Sequence, residues 1–211
     1  MIQKKIKIGF PKGNVHGKSR ELTEKLLKKT SPKGQLHIGN DFYDIFFLKH
    51  RDITRMVAEG KLDFGITSEE WIYELKSEEK LNVLKKLDWC DTRIALIVHD
   101  GEQSENKKCI TEFYNIAVEY FAKKGIDDIQ VDKISGWSEA LVPTLYDCCI
   151  DCVETGSTLK ENNLVIKDII FNSSIVVVSN KNVSKETIDK FNDLIGGIRW
   201  KMFWLLVRIK E

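Results

Sequence analysis

Residues 147–161 read DCCIDCVETGSTLKE, and this stretch indicates an α/β fold. It begins with an apolar run of β character, passes two carboxylates and continues through a hydroxyl-rich turn around Gly156. The spacing of Thr158 and Glu161 matches a capping box, which predicts that a helix begins at Thr158. The stretch therefore predicts a strand that passes into a helix through a tight turn.

A turn of this kind is suited to bind phosphate. Its backbone N–H groups and the positive end of the helix dipole favour anions. Thr155, Ser157 and Thr158 add hydroxyl donors, while Asp151 and Glu154 can accept hydrogen bonds from sugar hydroxyls. Groups for phosphate and for sugar on one loop indicate a phosphoribosyl ligand. Because many such junctions bind nothing, the local pattern also leaves a purely structural turn open.

The composition is that of an ordinary globular protein. The chain has 211 residues, of which 42% are hydrophobic and 31% charged, with a net charge of +1. This balance gives no reason to expect a nucleic acid or a membrane as partner, so local cations have to meet any anionic ligand. The chain shows neither a signal peptide nor a run long enough to span a bilayer, and a cytoplasmic location is therefore expected.

The five cysteines suggest two different interpretations. They are Cys90, Cys109, Cys148, Cys149 and Cys152, and the last two are spaced as in redox or zinc motifs. A zinc site usually needs a second pair of ligands, which the sequence does not show at suitable spacing. Buried free thiols are therefore the favoured interpretation.

Predicted strands alternate with predicted helices along the whole chain, which indicates largely parallel sheets covered on both faces. A polar break near residue 100 divides the chain into two predicted lobes. The first lobe comprises residues 1–95 and 178–211, and the second comprises residues 96–177 and carries the hydroxyl-rich turn. The connections between the lobes are predicted as four separate strands: residues 81–89, 93–99, 165–171 and 174–179.

Several residues are predicted at the carboxyl ends of strands, where open α/β sheets bind their ligands. Lys12 follows the first strand, and Arg51 opens a helix after another strand. Either could meet an anion, although solvated cations at such positions are also common. Thr67 and Glu70 have the spacing of a second capping box.

The apolar segment 200–207 has two interpretations. It is either a helix that docks on its own lobe or a subunit interface, since aromatic residues and Met are enriched in interface cores. Its residue spacing favours neither.

With these residues considered, the chain resembles the ATP phosphoribosyltransferase family in its short form, the first enzyme of histidine biosynthesis. The strongest match is residues 151–164, DCVETGSTLKENNL, where the family has an acidic strand end, Glu-Thr-Gly-Ser-Thr-Leu, and then Asn and Leu. Further matches are PKG at 11–13, RDI at 51–53, VAEG at 57–60, DFGIT at 63–67, YFAKKGI at 120–126, and SG at 135–136 with Glu139.

The resemblance implies a two-lobed α/β fold of the periplasmic-binding-protein type II, with a ligand cleft between the lobes. It also implies a homodimer that associates with a regulatory subunit similar to a histidyl-tRNA synthetase. The implied reaction joins adenine N1 of ATP to C1 of 5-phosphoribosyl 1-pyrophosphate and releases pyrophosphate. Mg²⁺ is the implied cofactor, and its ligands are not assigned.

The resemblance further implies roles for the loop residues. The amides and hydroxyls of Thr155, Gly156, Ser157, Thr158 and Leu159 would hold the 5′-phosphate. Two carboxylates would face the ribose hydroxyls or Mg²⁺: Asp151 and Glu154.

Four other residues are implied around the reacting groups. Lys12 and Arg51 would act as the catalytic cations that meet pyrophosphate or triphosphate. Lys12 would also belong to the acceptor side, together with Glu139 and Thr67.

Among the differences from the family pattern, four bear most on the acceptor side. Asn14 stands where Arg is usual, and Ser68 replaces a Gly. Glu112 replaces a Lys, and Trp137 replaces a Ser. These differences leave two alternatives open: a phosphoribosyltransferase with another acceptor, or a ligand-binding relative without catalysis.

Overall fold

The computed structural model describes residues 5–28, 34–101 and 107–196. Within those residues nine strands form one mixed sheet: β1 (Ile6–Pro11), β2 (His37–Gly39), β3 (Tyr43–Leu48), β4 (Phe64–Ser68), β5 (Leu81–His99), β6 (Lys108–Thr111), β7 (Gln130–Lys133), β8 (Cys148–Val153) and β9 (Leu164–Asn180). The helices are α1 (His16–Leu27), α2 (His50–Ala58), α3 (Glu69–Glu74), α4 (Tyr114–Lys123), α5 (Ser157–Glu161) and α6 (Lys185–Ile195), with 3₁₀ turns at Gly13–Val15 and Ser138–Leu141. The apolar segment 200–207 lies outside the described residues.

The sheet combines two parallel groups with an antiparallel centre. Its strand order is β2-β3-β1-β4-β9-β5-β8-β6-β7. β1 pairs in parallel with β3 and β4, and β6 pairs in parallel with β7 and β8. β9 is antiparallel to β4 and β5, and β5 is antiparallel to β8. Parallel pairing is thus less extensive than predicted, because a chain that leaves one lobe and returns to it needs strands of opposite direction.

The prediction of four separate connecting strands was wrong. β5 runs through 19 residues and β9 through 17, and the two pair with each other along most of their length. The predicted break at residues 90–92 is instead an irregularity in pairing, with a register shift between Leu87 and Asp91. Since the facing strand continues through Ser173 and Ser174, the hydrogen-bonded ladder resumes after the shift.

The two parallel groups run toward each other. β4 ends at Ser68, which lies opposite Ile175 of β9. β8 ends at Val153, which lies opposite Arg93, and Arg93 in turn pairs with Asn172 of β9. The carboxyl ends of both groups therefore meet beside the middle of β9, and the loops that follow these ends converge on one cleft. The lobe boundaries at 95 and 178 fall within β5 and β9 and stay a prediction.

Each group of strands has its own apolar core. Phe64 and Phe191 stack in the first core with their ring centroids 4.0 Å apart. Trp71 of α3 packs in the second core at 5.0 Å from Phe113, whereas its neighbour Ile72 packs in a cluster of the first lobe. The short helix α3 therefore joins the two lobes.

Both predicted capping boxes were wrong. Helix α5 begins one residue before Thr158, after Gly156, which turns the chain with φ +78°. Helix α3 begins after Ser68, whose side chain makes no capping hydrogen bond, and Gly156 before α5 has no side chain to make one. Thr67 is not the cap, because it lies within β4 and the N-cap position is Ser68; its hydroxyl donates to the carbonyl of His50 at 3.0 Å.

Candidate functional site

The hydroxyl-rich turn joins β8 to α5 at the cleft, as the sequence predicts. Thr155 Oγ1 and Ser157 Oγ lie 3.0 Å apart, and the amide of Ser157 is 3.4 Å from Thr155 Oγ1. The side chains of Thr155, Ser157 and Thr158 are exposed, whereas Leu159 is buried in the apolar core. Leu159 therefore anchors the helix start, and the turn leaves its hydroxyl side chains exposed. We call residues 154–159 the donor loop.

Asp151 lies in β8, three residues before the donor loop begins, and it is hydrogen-bonded to Ser138. The hydroxyl of Ser138 donates to one carboxylate oxygen of Asp151, and the amide of Cys152 donates to the other at 2.7 Å. Burial raises the pKa of Asp151 to about 6, with the nearby carboxylates Glu139 and Glu112 acting in the same direction. The hydrogen bond from Ser138 opposes this rise. Asp151 therefore changes its charge near neutral pH.

Glu154 connects the donor loop to the first lobe. The amide of Asn14 donates to Glu154 Oε2 at 3.0 Å, and the thiol of Cys90 donates to Oε1 at 3.2 Å. Asn14 lies in the turn after β1, two residues from Lys12. This carboxylate thus brings the lysine-bearing turn of one lobe next to the donor loop of the other.

Lys12 and Arg51 follow the neighbouring parallel strands β1 and β3, and both are half-buried. The amide of Lys12 donates to the carbonyl of Leu48 at 2.9 Å, which fixes the turn that carries its side chain. The Arg51 guanidinium lies 6.0 Å from the ring centroid of Trp71, a cation–π distance. Since Trp71 belongs to the core of the second lobe, this contact holds Arg51 at the junction between the lobes.

Thr67 and Glu139 differ in how open they are. Thr67 is fully buried, and its hydroxyl lies 2.8 Å from that of Thr54 in addition to its bond to His50. The observed contacts of Thr67 join β4 to α2, and its assignment to the acceptor side stays a prediction. Glu139 is half-buried and close enough to Asp151 to raise its pKa, which agrees with a position in the cleft.

A second acidic pair at the cleft was not predicted. Glu70 is buried and accepts a hydrogen bond from Ser68 at 2.6 Å and another from Ser173. Burial raises the pKa of Glu70. Glu69 pairs with Lys86 at 2.6 Å. Because Ser173 is 103 residues from Glu70 along the chain, no local pattern could identify this contact.

The cysteines are free thiols. Cys109, Cys148 and Cys149 are fully buried, as predicted, whereas Cys90 and Cys152 are half-buried. Burial raises the pKa of Cys152 to about 12 and that of Cys90 to about 11, which keeps both thiols protonated at neutral pH. In the described part of the chain, no three His, Cys, Asp or Glu side chains are grouped as a metal site would require.

No helix within residues 5–28, 34–101 and 107–196 has the length and apolar character that a membrane crossing requires.

Comparison of the sequence with known proteins finds a matching family and similar proteins that carry its name. Residues 49–199 match the model of a family described as ATP phosphoribosyltransferase. A protein of Clostridium acetobutylicum named ATP phosphoribosyltransferase is 32% identical over 205 residues, which cover 93% of this chain and 95% of that protein.

Solved structures confirm the predicted fold. The structure of the ATP phosphoribosyl transferase complex of HisG and HisZ from Thermotoga maritima matches with a TM-score of 0.80 at 23% identity, covering 90% of this chain and 94% of that one. The lactococcal protein OpuAC, solved in a closed form with glycine betaine, matches with a TM-score of 0.57 at 11% identity, covering 94% and 85%. The two-lobed α/β fold of periplasmic-binding-protein type II is therefore confirmed.

Proposed function

Because the chain belongs to the ATP phosphoribosyltransferase family, we propose that it is the catalytic subunit of the first step of histidine biosynthesis. It joins adenine N1 of ATP to C1 of 5-phosphoribosyl 1-pyrophosphate and releases pyrophosphate. The observation that carries this proposal is the donor loop, whose exposed hydroxyls stand at the start of a helix beside Asp151 and Glu154.

The donor loop holds the phosphoribosyl group. Hydroxyls and amides of Thr155, Ser157 and Thr158 bind the 5′-phosphate, because N–H groups at a helix start favour anions. Asp151 accepts hydrogen bonds from the ribose hydroxyls when it is ionised. Glu154 lies at the same end of β8 and offers a second carboxylate to the ribose. These contacts fix the sugar with C1 open toward the cleft.

The chemical step exchanges one bond at C1 for another. The C1–O bond to pyrophosphate breaks as the bond from adenine N1 to C1 forms, and the sugar passes through an oxocarbenium-like state. Lys12 and Arg51 stabilise the charge that grows on the leaving pyrophosphate. Adenine N1 carries its own lone pair, so the step needs no strong general base, and Glu139 positions the adenine.

Mg²⁺ suits the donor atoms of this site. Mg²⁺ prefers oxygen ligands and is commonly held by one or two carboxylates together with substrate phosphates. Asp151 and Glu154 offer such carboxylates on either side of the β8 end. When bound, the ion would draw negative charge away from pyrophosphate.

The assembly is proposed from similarity. The Thermotoga maritima structure is a complex of two different proteins, HisG and HisZ. We propose that this chain forms a homodimer and works with a regulatory subunit similar to a histidyl-tRNA synthetase. A cytoplasmic location follows from the proposed use of ATP and phosphoribosyl pyrophosphate.

An assay with ATP, phosphoribosyl pyrophosphate and Mg²⁺ tests the proposed function, with and without the regulatory subunit. Formation of phosphoribosyl-ATP supports it. Pyrophosphate release only with another acceptor would identify a different phosphoribosyltransferase, which the exchanges at Glu112 and Trp137 would explain. Tight binding of both substrates without turnover would identify a ligand-binding relative.

A further inference from the structure

Trp137 has an unusual environment for a tryptophan. It is 81% exposed, the highest value among the large apolar side chains in the described part of the chain. Its backbone is left-handed, with φ +59° and ψ +33°, a conformation that costs free energy in any L-residue with a bulky side chain. An exposed indole on a strained turn gains nothing from burial, so the fold alone does not account for it.

The turn that carries Trp137 belongs to the cleft. It follows β7, whose carboxyl end lies at the same edge of the parallel group as those of β6 and β8. The next residue, Ser138, is fully buried and donates to Asp151. The residue after it, Glu139, is close enough to raise the pKa of Asp151. The backbone at Trp137 is therefore fixed by the next residue, Ser138, through its contact with Asp151.

The left-handed backbone of Trp137 directs its indole away from the buried contact between Ser138 and Asp151. Gly136 also has a positive φ, +82°, and no atom lies within 4 Å of the place where its Cβ would stand. Two successive left-handed residues thus make a sharp turn beside open space. Within this turn Ser138 is buried against Asp151, and Trp137 is exposed.

We propose that Trp137 is an acceptor-binding residue whose indole stacks on the purine ring of the acceptor nucleotide. This inference rests on the proposed function, because it assigns the acceptor end of the same cleft. An aromatic face binds any base through stacking, and the contribution of one such contact is about 1–3 kcal/mol, or about 5- to 150-fold in affinity.

The charge of the site favours the same arrangement. Attack by adenine N1 on C1 leaves positive charge on the purine ring. An indole face attracts a cation, and the carboxylates Glu139 and Glu112 lie in the same region. The stacked base is therefore bound more tightly as it acquires charge, which helps the transfer as well as the binding.

Steady-state kinetics of Trp137→Ala and Trp137→Phe test the proposal in the full-length protein, with the regulatory subunit if the wild type requires it. We expect Trp137→Ala to raise KM for ATP about tenfold and to leave KM for phosphoribosyl pyrophosphate within about twofold. Trp137→Phe should retain most of the wild-type affinity, because a phenyl ring still stacks. Phe42→Ala is the matched control, since Phe42 is 56% exposed between β2 and β3.

Two results would overturn the proposal. One is an unchanged KM for ATP in Trp137→Ala, and the other is an equal rise in KM for both substrates, which would mean that the residue only supports the fold. Calorimetric titration of ATP into wild type and Trp137→Ala gives the same comparison without turnover. If the wild type forms no phosphoribosyl-ATP, the proposed function fails, and the ATP titration still decides the role of Trp137.

Discussion

Gly156 is the residue on which the donor loop depends most. Its φ of +78° is strained for any residue with a Cβ, by about 1–2 kcal/mol, and a β-branched side chain has the fewest ways to adapt. We expect Gly156→Val to weaken binding of phosphoribosyl pyrophosphate at least about tenfold, because the turn must rearrange and move the amides of Ser157 and Thr158. Thr158→Ala should also weaken binding by removing a hydroxyl. Calorimetric titration measures both effects.

Gly125→Val is the matched control for that experiment. Gly125 has a similar φ, +69°, but it lies after α4, away from the donor loop. It should lower thermal stability to a comparable degree and leave the affinity unchanged. Normal binding by Gly156→Val would show that the donor loop has been placed wrongly.

Ser138 opposes the effect of burial on the pKa of Asp151. Its hydroxyl donates to the carboxylate and so favours the ionised form, which lowers the pKa of Asp151 toward its value of about 6. Ser138→Ala should therefore raise that pKa by about half to one unit, the equivalent of one hydrogen bond. Since the ribose hydroxyls need an ionised acceptor, kcat/KM for phosphoribosyl pyrophosphate should fall below pH 6 in the wild type and at higher pH in the variant.

The pH profile of Ser135→Ala provides the comparison, because Ser135 is exposed in the same connection. Its acidic limb should coincide with that of the wild type. If the limb of Ser138→Ala also coincides, Asp151 is not the group whose ionisation limits binding.

Local pattern predicted the elements that carry the donor loop and missed the contacts of its residues. The strand, turn and helix around Asp151 and the donor-loop hydroxyls could be recognised because they are consecutive in the chain. Ser138 and Asn14 could not be recognised as partners of Asp151 and Glu154, since they come from other loops. Such contacts depend on how distant strands meet.

At the level of elements, the carboxylate of Glu74 joins α3 to the start of α4. Glu74, which is 1% exposed, accepts hydrogen bonds from the amides of Asn115 at 2.8 Å and Ile116 at 3.2 Å at the start of α4. It also lies 3.4 Å from Lys133. Glu74→Ala should lower the free energy of unfolding by about 1–3 kcal/mol, because one buried and one half-buried backbone donor lose their acceptor. The urea midpoint measures this loss.

Glu119→Ala is the control for Glu74→Ala. Glu119 pairs with Lys123 on the exposed face of α4 at 2.7 Å, and an exposed ion pair contributes little to stability. Its urea midpoint should stay close to that of the wild type. An equally small change for Glu74→Ala would contradict the capping role.

The helices and strands were predictable where apolar residues recur at regular spacing. The residue at which a helix begins was less predictable. Helix α6 begins after Ser184, whose side chain accepts from the amide of Thr187. Thr158 and Thr67 have the spacing of caps, but α5 begins after Gly156, which has a positive φ, and α3 begins after Ser68. Tertiary contacts decide such positions.

For the whole molecule, the paired strands β5 and β9 make the two lobes one cooperative unit. Residues 94–97 of β5 and 175–178 of β9 are buried, and each segment pairs with both of its neighbouring strands. We expect native-state hydrogen exchange to be slowest in these two segments, and urea unfolding to occur in one transition. Earlier exchange of residues 107–163 as a block would show instead that the second lobe unfolds independently.

The alternation of strands and helices predicted the α/β class. It also predicted the cleft, because the loops that follow the carboxyl ends of parallel strands lie at one edge of the sheet. The antiparallel centre was not predicted, since the polar residues Asp91, Ser173 and Ser174 suggest turns. In the sheet, these residues lie where the two lobes meet, and Ser173 and Ser174 bond to the acidic residues of α3. The two serines are polar because they contact the acidic side chains of α3, and the strand continues through them.

The position of β9 has a consequence for synthesis on the ribosome. β9 is among the last strands to be translated, yet it lies in the centre of the sheet between β4 and β5. A nascent chain that stops before residue 164 can pair β1 with β4 and β5 with β8, but it leaves one edge of β4 and one edge of β5 without partners. Open strand edges attract other chains. We therefore expect the growing polypeptide to hold two half-sheets that need protection by chaperones until β9 emerges and closes both.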